Sequence, residues 1–442
     1  MANSIVDRFA RLKALQPTPR KRPVQEPCES RAASSGFTTV VPEGSRRLAQ
    51  ILEARTVSNT HGEHLALRRW FSEPAECNPD AAALRLLAPE APEEVADPRK
   101  WLFLDTETTG IMGGTGTYAF LVGIAWWDAG GFEVEQFFMR DHSEEHSVLA
   151  ALAERMAERP VLVTFNGKSF DWPLLETRYR MTRSIRPPAF RAHLDFLHPA
   201  RNLWRLRIGS VRLAELERHI LGWKREGDVN SQMIPQFYFD FLRGDSPEPL
   251  VSVFYHNQMD LRGLAGLSVR VLSLLADPGA GETTALELFG VSRICERRGE
   301  STRARKLYER SLAGELPPAT DRAARHSLAL LAKREGDFSL AAKLWESILG
   351  NSREGFEAYE QLAIHFERRM HEPHRAAATA RAALSELRRA SKLGTIATAE
   401  YCRRRMRFES RLARLERKAG RSLLDTVDAE SRRTLPESNP QR

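Results

Sequence analysis

The feature that most constrains this chain is a short apolar run ending in acid, WLFLDTE, from Trp101 to Glu107. Four consecutive large apolar residues bounded by charge read as a buried strand that opens at a sheet edge. Asp105 and Glu107, at i and i+2, then point to one face, that of Phe103. Two carboxylates on one face of a buried strand are unfavourable unless something positive sits between them. A divalent metal supplies that charge. The plainer alternative is a strand end at the surface, and the flanking string LDTETTG weighs against it.

The patterning around this run is that of a mixed sheet. HGEHLALRRWF (61–71) alternates as a strand, and APEAPEEVADP (88–98) reads as a linker. YAFLVGIAWWDAGGFEVEQFFMRD (118–141) predicts two strands joined by a turn at 128–131. A helix follows in SVLAALAERMAER, a strand in PVLVTFNG (160–167), a helix over 170–183 and a strand in AHLDFLH (192–198). VRLAELERHILGW and MIPQFYFDFLRG are helical by periodicity, and a longer helix is expected over about 250–275. The order β-β-β-α-β-α-β-α is the RNase H-like arrangement, a mixed sheet flanked by helices, although the pattern alone permits other mixed α/β folds.

After Pro278 the pattern becomes purely helical, and an internal repeat emerges. ERRGESTRARKLYERSL, KREGDFSLAAKLWESIL and ERRMHEPHRAAATARAAL superimpose with turn positions at Gly299, Gly336 and His371. A small residue stands five positions after each turn: Ala304, Ala341 and Ala376. An aromatic follows in two copies (Tyr308, Trp345), and Ala380 replaces it in the third. Small residues at this spacing let paired helices pack closely, so the segment resembles a short stack of tetratricopeptide (TPR) hairpins with a degenerate last copy. The expected partition is a basic, disordered arm at 1–48, an RNase H-like domain at 49–277, TPR-like repeats at 278–395, and a basic helix with a disordered tail at 396–442.

Composition narrows the class of protein. With 42% hydrophobic and 28% charged residues, the chain is not a disordered polymer. Cys28, Cys77, Cys295 and Cys402 lie far apart with no CxxC pair, which argues against a disulfide scaffold or structural zinc and for a reducing compartment. No run approaches a membrane span and no signal-peptide core is visible, so no membrane association and a cytoplasmic location are expected. The net charge of +8 is uneven: residues 1–24 carry an excess of five positive charges and residues 401–421 an excess of seven. Each is read first as a solvated segment and second as a polyanion-binding one, with Met406, Leu412 and Leu415 among the apolar positions of the latter.

Three strings carry a family resemblance. DTETTG is similar to the first motif of the DEDD 3′–5′ exonucleases; FNGKSFDWPLL, with Asn166 and Phe170–Asp171, to the second; and FYHNQMDLRGLAGL, with Asp260, to the third. LDTETTGIMGGTGTYAFLVGIAWW, VTFNGKSFDWPLLETR, HLDFLHPARNLW and HNQMDL resemble the bacterial YprB-like predicted exonucleases of the RNase H-like superfamily over about 62–272, proteins that often carry a TPR-like tail. The resemblance implies an RNase H-like fold, two-metal nuclease chemistry, and Asp105, Glu107, Asp171 and Asp260 as ligands of two Mg²⁺ or Mn²⁺ ions. Hard cations prefer such oxygen donors, and two of them would serve attacking water and leaving oxygen in phosphodiester hydrolysis.

The general base departs from the family pattern. The DEDD enzymes place Tyr four residues before the last Asp or His five before it; here His256 is four before and Tyr255 five. Residues i and i+4 share a helix face, and an imidazole titrates near neutrality, so His256 is favoured, with Tyr255 or neither left open. Thr106, Asn166, Lys168 and Tyr255 are candidate substrate contacts. Asp195 is read as a positioning residue, GGTGTY (113–118) as a glycine-rich turn, and His61 and His64 as structural. The expected activity is a metal-dependent 3′–5′ exonuclease on single-stranded RNA or DNA, with a protein partner on the repeats. The alternatives are a non-catalytic nucleic-acid-binding TPR scaffold and a structure-specific endonuclease.

Overall fold

The computed structural model describes residues 43–433 apart from 77, 111–114, 129 and 280, with side chains to Lys418. The basic arm to residue 42, Cys77, the first two glycines of GGTGTY and the tail after 433 therefore lie outside the described residues.

Seven strands form one sheet: β1 (Arg55–Asn59), β2 (Gly62–Phe71), β3 (Trp101–Thr108), β4 (Ala119–Asp128), β5 (Gly131–Phe138), β6 (Val161–Thr164) and β7 (Ala192–Asp195), in the order β1-β2-β5-β4-β3-β6-β7. Neighbours from β1 to β3 pair antiparallel, whereas β3, β6 and β7 run parallel. Parallel strands need crossovers, here α3 (Glu145–Glu158) between β5 and β6 and α4 (Asp171–Thr182) between β6 and β7. The carboxyl ends of β3, β6 and β7 consequently share one edge, where loops and helix starts can gather polar groups.

Period-2 alternation divides the sheet into two apolar faces. Leu102, Leu104, Phe120 and Trp126 pack with α1 (Glu43–Leu52), α3, α4 and α7 (Ile234–Leu242). Trp101, Phe103, Trp127 and Phe132 pack with α2 (Ala81–Leu87), α5 (Leu197–Ile208) and the second half of α8 (Glu248–Ala276). The expected mixed sheet flanked by helices is thus present, and the first helix begins at Glu43, inside the stretch read as arm.

Two local readings need correction. The strand expected over 192–198 stops at Asp195, and α5, which the pattern did not suggest, starts at Leu197. The Asp195 side chain accepts from the amide of Leu197, the first helical residue, at 3.0 Å, and Leu197, Ala200, Leu203 and Trp204 supply the buried face of the helix. The segment read as one helix from Val211 is a single turn, α6 (Leu213–Leu216), continued by a π turn over Glu217–Leu221.

Beyond residue 284 come α9 (Ala285–Arg297), α10 (Ser301–Leu312), α11 (Pro318–Arg334), α12 (Phe338–Ser347), α13 (Arg353–Arg368), α14 (Pro373–Lys392) and α15 (Thr398–Arg433). The repeat positions fall where their chemistry requires. Gly299, Gly336 and His371 all adopt positive φ at the turns, a conformation that glycine takes freely and His371 takes at a cost. Ala304, Ala341, Ala376 and Ala380 are completely buried, beside the buried rings of Tyr308 and Trp345. On α15 the inward positions are Phe408, Leu412 and Leu415, while Met406 is 70% exposed. Arg407 pairs with Glu360, and Arg411 and Arg414 with Glu367, so part of the C-terminal basic excess is neutralised within the helical array. Among the described residues no helix is long and apolar enough to cross a membrane.

Candidate active site

Strand β3 ends in WLFLDTET, and its pleat points Asp105 and Glu107 toward α8, with Thr106 on the opposite face toward α4. On α8, His256, Asn257 and Asp260 lie within little more than one turn and approach the two carboxylates. Asp171 opens α4, and Thr106 Oγ1 donates to Asp171 Oδ1 at 2.6 Å. Thr106, a candidate substrate contact, therefore holds a candidate ligand in place.

Asp105 is anchored by a residue that the sequence reading passed over. Asn257 is completely buried and donates from Nδ2 to Asp105 Oδ2 at 2.8 Å, while its Oδ1 accepts from Gln136 Nε2 at 2.8 Å. Gln136 also donates to the Phe254 carbonyl at 2.9 Å. The register explains the fit: Asp105 on β3 stands opposite Gly123 on β4, which stands opposite Gln136 on β5. A Cβ on Gly123 would lie 2.7 Å from Asn257 Cγ and 2.8 Å from its Nδ2, so only glycine leaves room for the amide.

The second half of the site comes from the stretch after the π turn. Arg225 Nη2 donates to Asp260 Oδ1 at 2.5 Å and joins Glu217 through Nε at 2.6 Å and Asp228 through Nη1 at 3.2 Å. His256 Nδ1 lies 2.6 Å from Asp228 Oδ1, and its Nε2 lies 3.5 Å from Asp260 Oδ2. Tyr255 is half-buried and takes no part in these contacts. Arg225 and Asp228 sit in a segment without periodicity or motif, where no sequence signal marked them.

Asp195 organises the second-motif loop, accepting from the amides of Asn166 at 2.9 Å and Lys168 at 3.0 Å. Asn166 adopts a left-handed conformation (φ 72°) that asparagine tolerates, which turns the chain toward Asp171. Lys168 is exposed beside it. The described end of the glycine-rich loop is held by Arg178, which donates to the Thr115 carbonyl and lies over the Tyr118 ring. His61 closes the β1–β2 turn on Asn59, and His64 is buried against Ser147.

Crowded carboxylates leave an electrostatic signature. Burial pushes Asp105 well above the ordinary carboxyl range, and Asp260, Glu107 and Asp171 push it further against the Asn257 hydrogen bond. Burial raises Glu107 to about 8 against the pull of His256, and Asp171 to about 6 against its bond from Thr106. Burial works to lower His256, yet Asp260, Glu107 and Asp228 together hold its imidazole above the usual value. Asp228 moves the other way: burial opposes the shift, but His256 and Arg225 hold it below the carboxylate range.

The donor set suits a hard divalent cation, being rich in carboxylate oxygens with too little positive charge beside them. As the side chains stand, however, no group of three or more His, Cys, Asp or Glu among the described residues is disposed to hold a metal ion. Asp105 is turned to Asn257, Asp171 to Thr106 and Asp260 to Arg225, each carboxylate having its own donor.

The RNase_H superfamily model matches residues 102–272. The Bacillus subtilis (strain 168) Uncharacterized protein YprB is 30% identical over 320 residues, which cover 72% of this chain and 74% of that protein. Among solved structures, the family B DNA polymerase of Pyrobaculum calidifontis aligns at 16% identity and TM-score 0.33 over 48% of this chain, which spans only 29% of the polymerase. TPR-like repeats of kinesin-light-chain type from Podosopora anserina align at 17% identity and TM-score 0.26, over 42% of this chain and 94% of theirs.

Proposed function

Because the chain belongs to the YprB family of the RNase H superfamily, we propose that it is a metal-dependent nuclease that removes nucleotides from the 3′ end of single-stranded nucleic acid. The observation that carries this reading is the meeting of Asp105, Glu107, Asp171 and Asp260 at the carboxyl edge of the sheet, beside a histidine backed by its own carboxylate. These four acids would hold two Mg²⁺ or Mn²⁺ ions, which when bound would lower the pKa of an attacking water and neutralise charge on the leaving oxygen.

The remaining groups have roles that follow from their contacts. His256 takes the proton of the attacking water at Nε2, the nitrogen nearer Asp260. Its Nδ1–H donates to Asp228, which fixes the tautomer and stabilises the imidazolium. Asn257 and Thr106 orient Asp105 and Asp171, and Asp195 shapes the loop from Asn166 to Lys168 that faces the terminal nucleotide. The TPR-like repeats bind a protein partner in this reading.

The test uses 5′-labelled single-stranded RNA and DNA with Mg²⁺, Mn²⁺ or EDTA. A ladder shortening from the 3′ end, abolished by EDTA and reduced at least roughly 100-fold in Asp105→Ala, supports the proposal. Internal cuts would indicate an endonuclease. The Arg225–Asp260 pair favours a second reading, a nucleic-acid-binding scaffold in which an arginine takes the place of the cations. Binding without cleavage under every metal condition would establish it.

A further inference from the structure

Four exposed arginines that form no ion pair among the described residues stand together on two packed helices. Helices α5 and α9 pack together where the sheet domain meets the helical array, joined by a bond from Arg297 to Asn202. On α5, His198, Arg201, Asn202 and Arg205 follow helical spacing along one side; on α9, Arg293 and Arg297 are one turn apart. Arg201, Arg205, Arg293 and Arg297 are all exposed, and none forms an ion pair with a carboxylate among the described residues. The acids of α9 are engaged elsewhere: Glu287 with Trp204 and Arg207, Glu296 with Tyr308 and Arg334. Burial and the neighbouring Arg293 and Arg298 depress the Arg297 guanidinium, as expected where like charges crowd. Arg298 has a different task, donating to the Leu86 and Leu87 carbonyls at the end of α2.

This ridge leads to the candidate active site. A cavity of about 340 Å³ between α5 and α9 is lined by Lys168, Asp195, His198, Asn202, Arg297 and Arg298. Lys168 lies in the loop that precedes Asp171, and Asp195, at the end of β7, accepts from its amide, so the cavity runs from Arg297 to the loop that leads into the acidic cluster. A ridge of uncompensated guanidinium groups fits a row of phosphates, to which arginine donates bidentately.

We infer that the α5–α9 ridge binds the phosphodiester backbone of the single strand whose 3′ end lies at the acidic cluster. The inference rests on the nuclease reading for the position of that end, but its test does not depend on cleavage. Full-length protein in EDTA is titrated into a labelled single strand of roughly 20 nucleotides, and the dissociation constant is measured against salt; each phosphate contact contributes a slope of about 0.7. Arg201→Gln, Arg205→Gln, Arg293→Gln and Arg297→Gln combined should lower that slope by about 3 and weaken binding at least tenfold. A matched loss of charge at Arg353, Arg375, Arg388 and Arg389 on α13 and α14 should leave the slope unchanged. The pair Arg201→Gln and Arg293→Gln, half the expected change, is measured as well in case the fourfold variant folds poorly. Equal effects of ridge and control substitutions would overturn the inference, as would ridge-dependent binding of polyglutamate in place of the oligonucleotide. A protein that binds through the ridge and never cuts would overturn only the nuclease reading; one that cuts with ridge-independent binding would overturn only this one.

Discussion

Gly123→Ala is the smallest change that tests how the candidate site is assembled. The added methyl would enter the space of the Asn257 amide, 2.7 Å from Cγ and 2.8 Å from Nδ2. The neighbour cannot yield cheaply, because Asn257 is completely buried and bonded on both sides, to Gln136 and Asp105. Forcing one methyl group into a packed core costs about 1–3 kcal/mol. Displacing the amide adds about 1–3 kcal/mol more, because Asp105 loses its donor in a buried setting. Gln136 Nε2 keeps the Phe254 carbonyl, so its loss is partial. The expected cost is about 2–6 kcal/mol, large for one methyl group.

Urea unfolding of Gly123→Ala, Asn257→Ala and the double variant measures it. Asn257→Ala removes the obstruction, so the double variant should be more stable than the sum of the single effects by at least about 1 kcal/mol. A loss below about 1 kcal/mol for Gly123→Ala, or strict additivity, would refute the claim that glycine is required there to admit Asn257.

Three further outcomes are expected. Asp228→Asn, which removes the carboxylate behind His256, should lower the cleavage rate about 10- to 100-fold while Tyr255→Phe changes it less than about twofold; single-turnover assays giving the reverse ranking would move the base to Tyr255. His64 is buried, with burial pushing its imidazole from 6.5 down to about 4. The unfolded chain takes up that proton first as pH falls, so stability is complete above about 6.5 and declines toward pH 4 by up to about 3 kcal/mol; His64→Gln should flatten that decline in urea titrations, and an unchanged slope would exclude His64 as its source. Trp345→Ala, deleting a buried ring beside Ala341, should destabilise by about 3–5 kcal/mol, whereas Met406→Ala, at an exposed position, should stay within about 0.5 kcal/mol.

The elements legible in the sequence were those whose signal is local. Alternation marked β2, apolar runs bounded by acid or a turn marked β3 to β5, helical period marked α3, α4 and α8, and the repeated alanines marked the helical array. Asp105 and Glu107 could be placed on one face because the pleat alone decides it. Asn257 could not be recognised, because its importance arises from the alignment of Asp105, Gly123 and Gln136 across three strands. Arg225 and Asp228 escaped for a related reason: they lie in an aperiodic stretch and acquire roles only when α8 presents Asp260 and His256 to them. Helix α5 was hidden because its first residues continue the apolar character of β7 and only Phe196 separates the two.

Charge provides the remaining step. The chain is basic as a whole, yet the arginines Arg407, Arg411 and Arg414 of α15 face Glu360 and Glu367. Such pairing cancels part of the field that the local composition suggests. At the α5–α9 ridge the reverse holds: fewer basic residues, none engaged by a carboxylate, next to a cluster with more acid than its single arginine can balance. Each side lacks what a phosphodiester bound to divalent cations would bring, negative charge for the ridge and positive charge for the cluster. The two imbalances have the same remedy, and the cavity beside Arg297 reaches Lys168, in the loop that leads into Asp171.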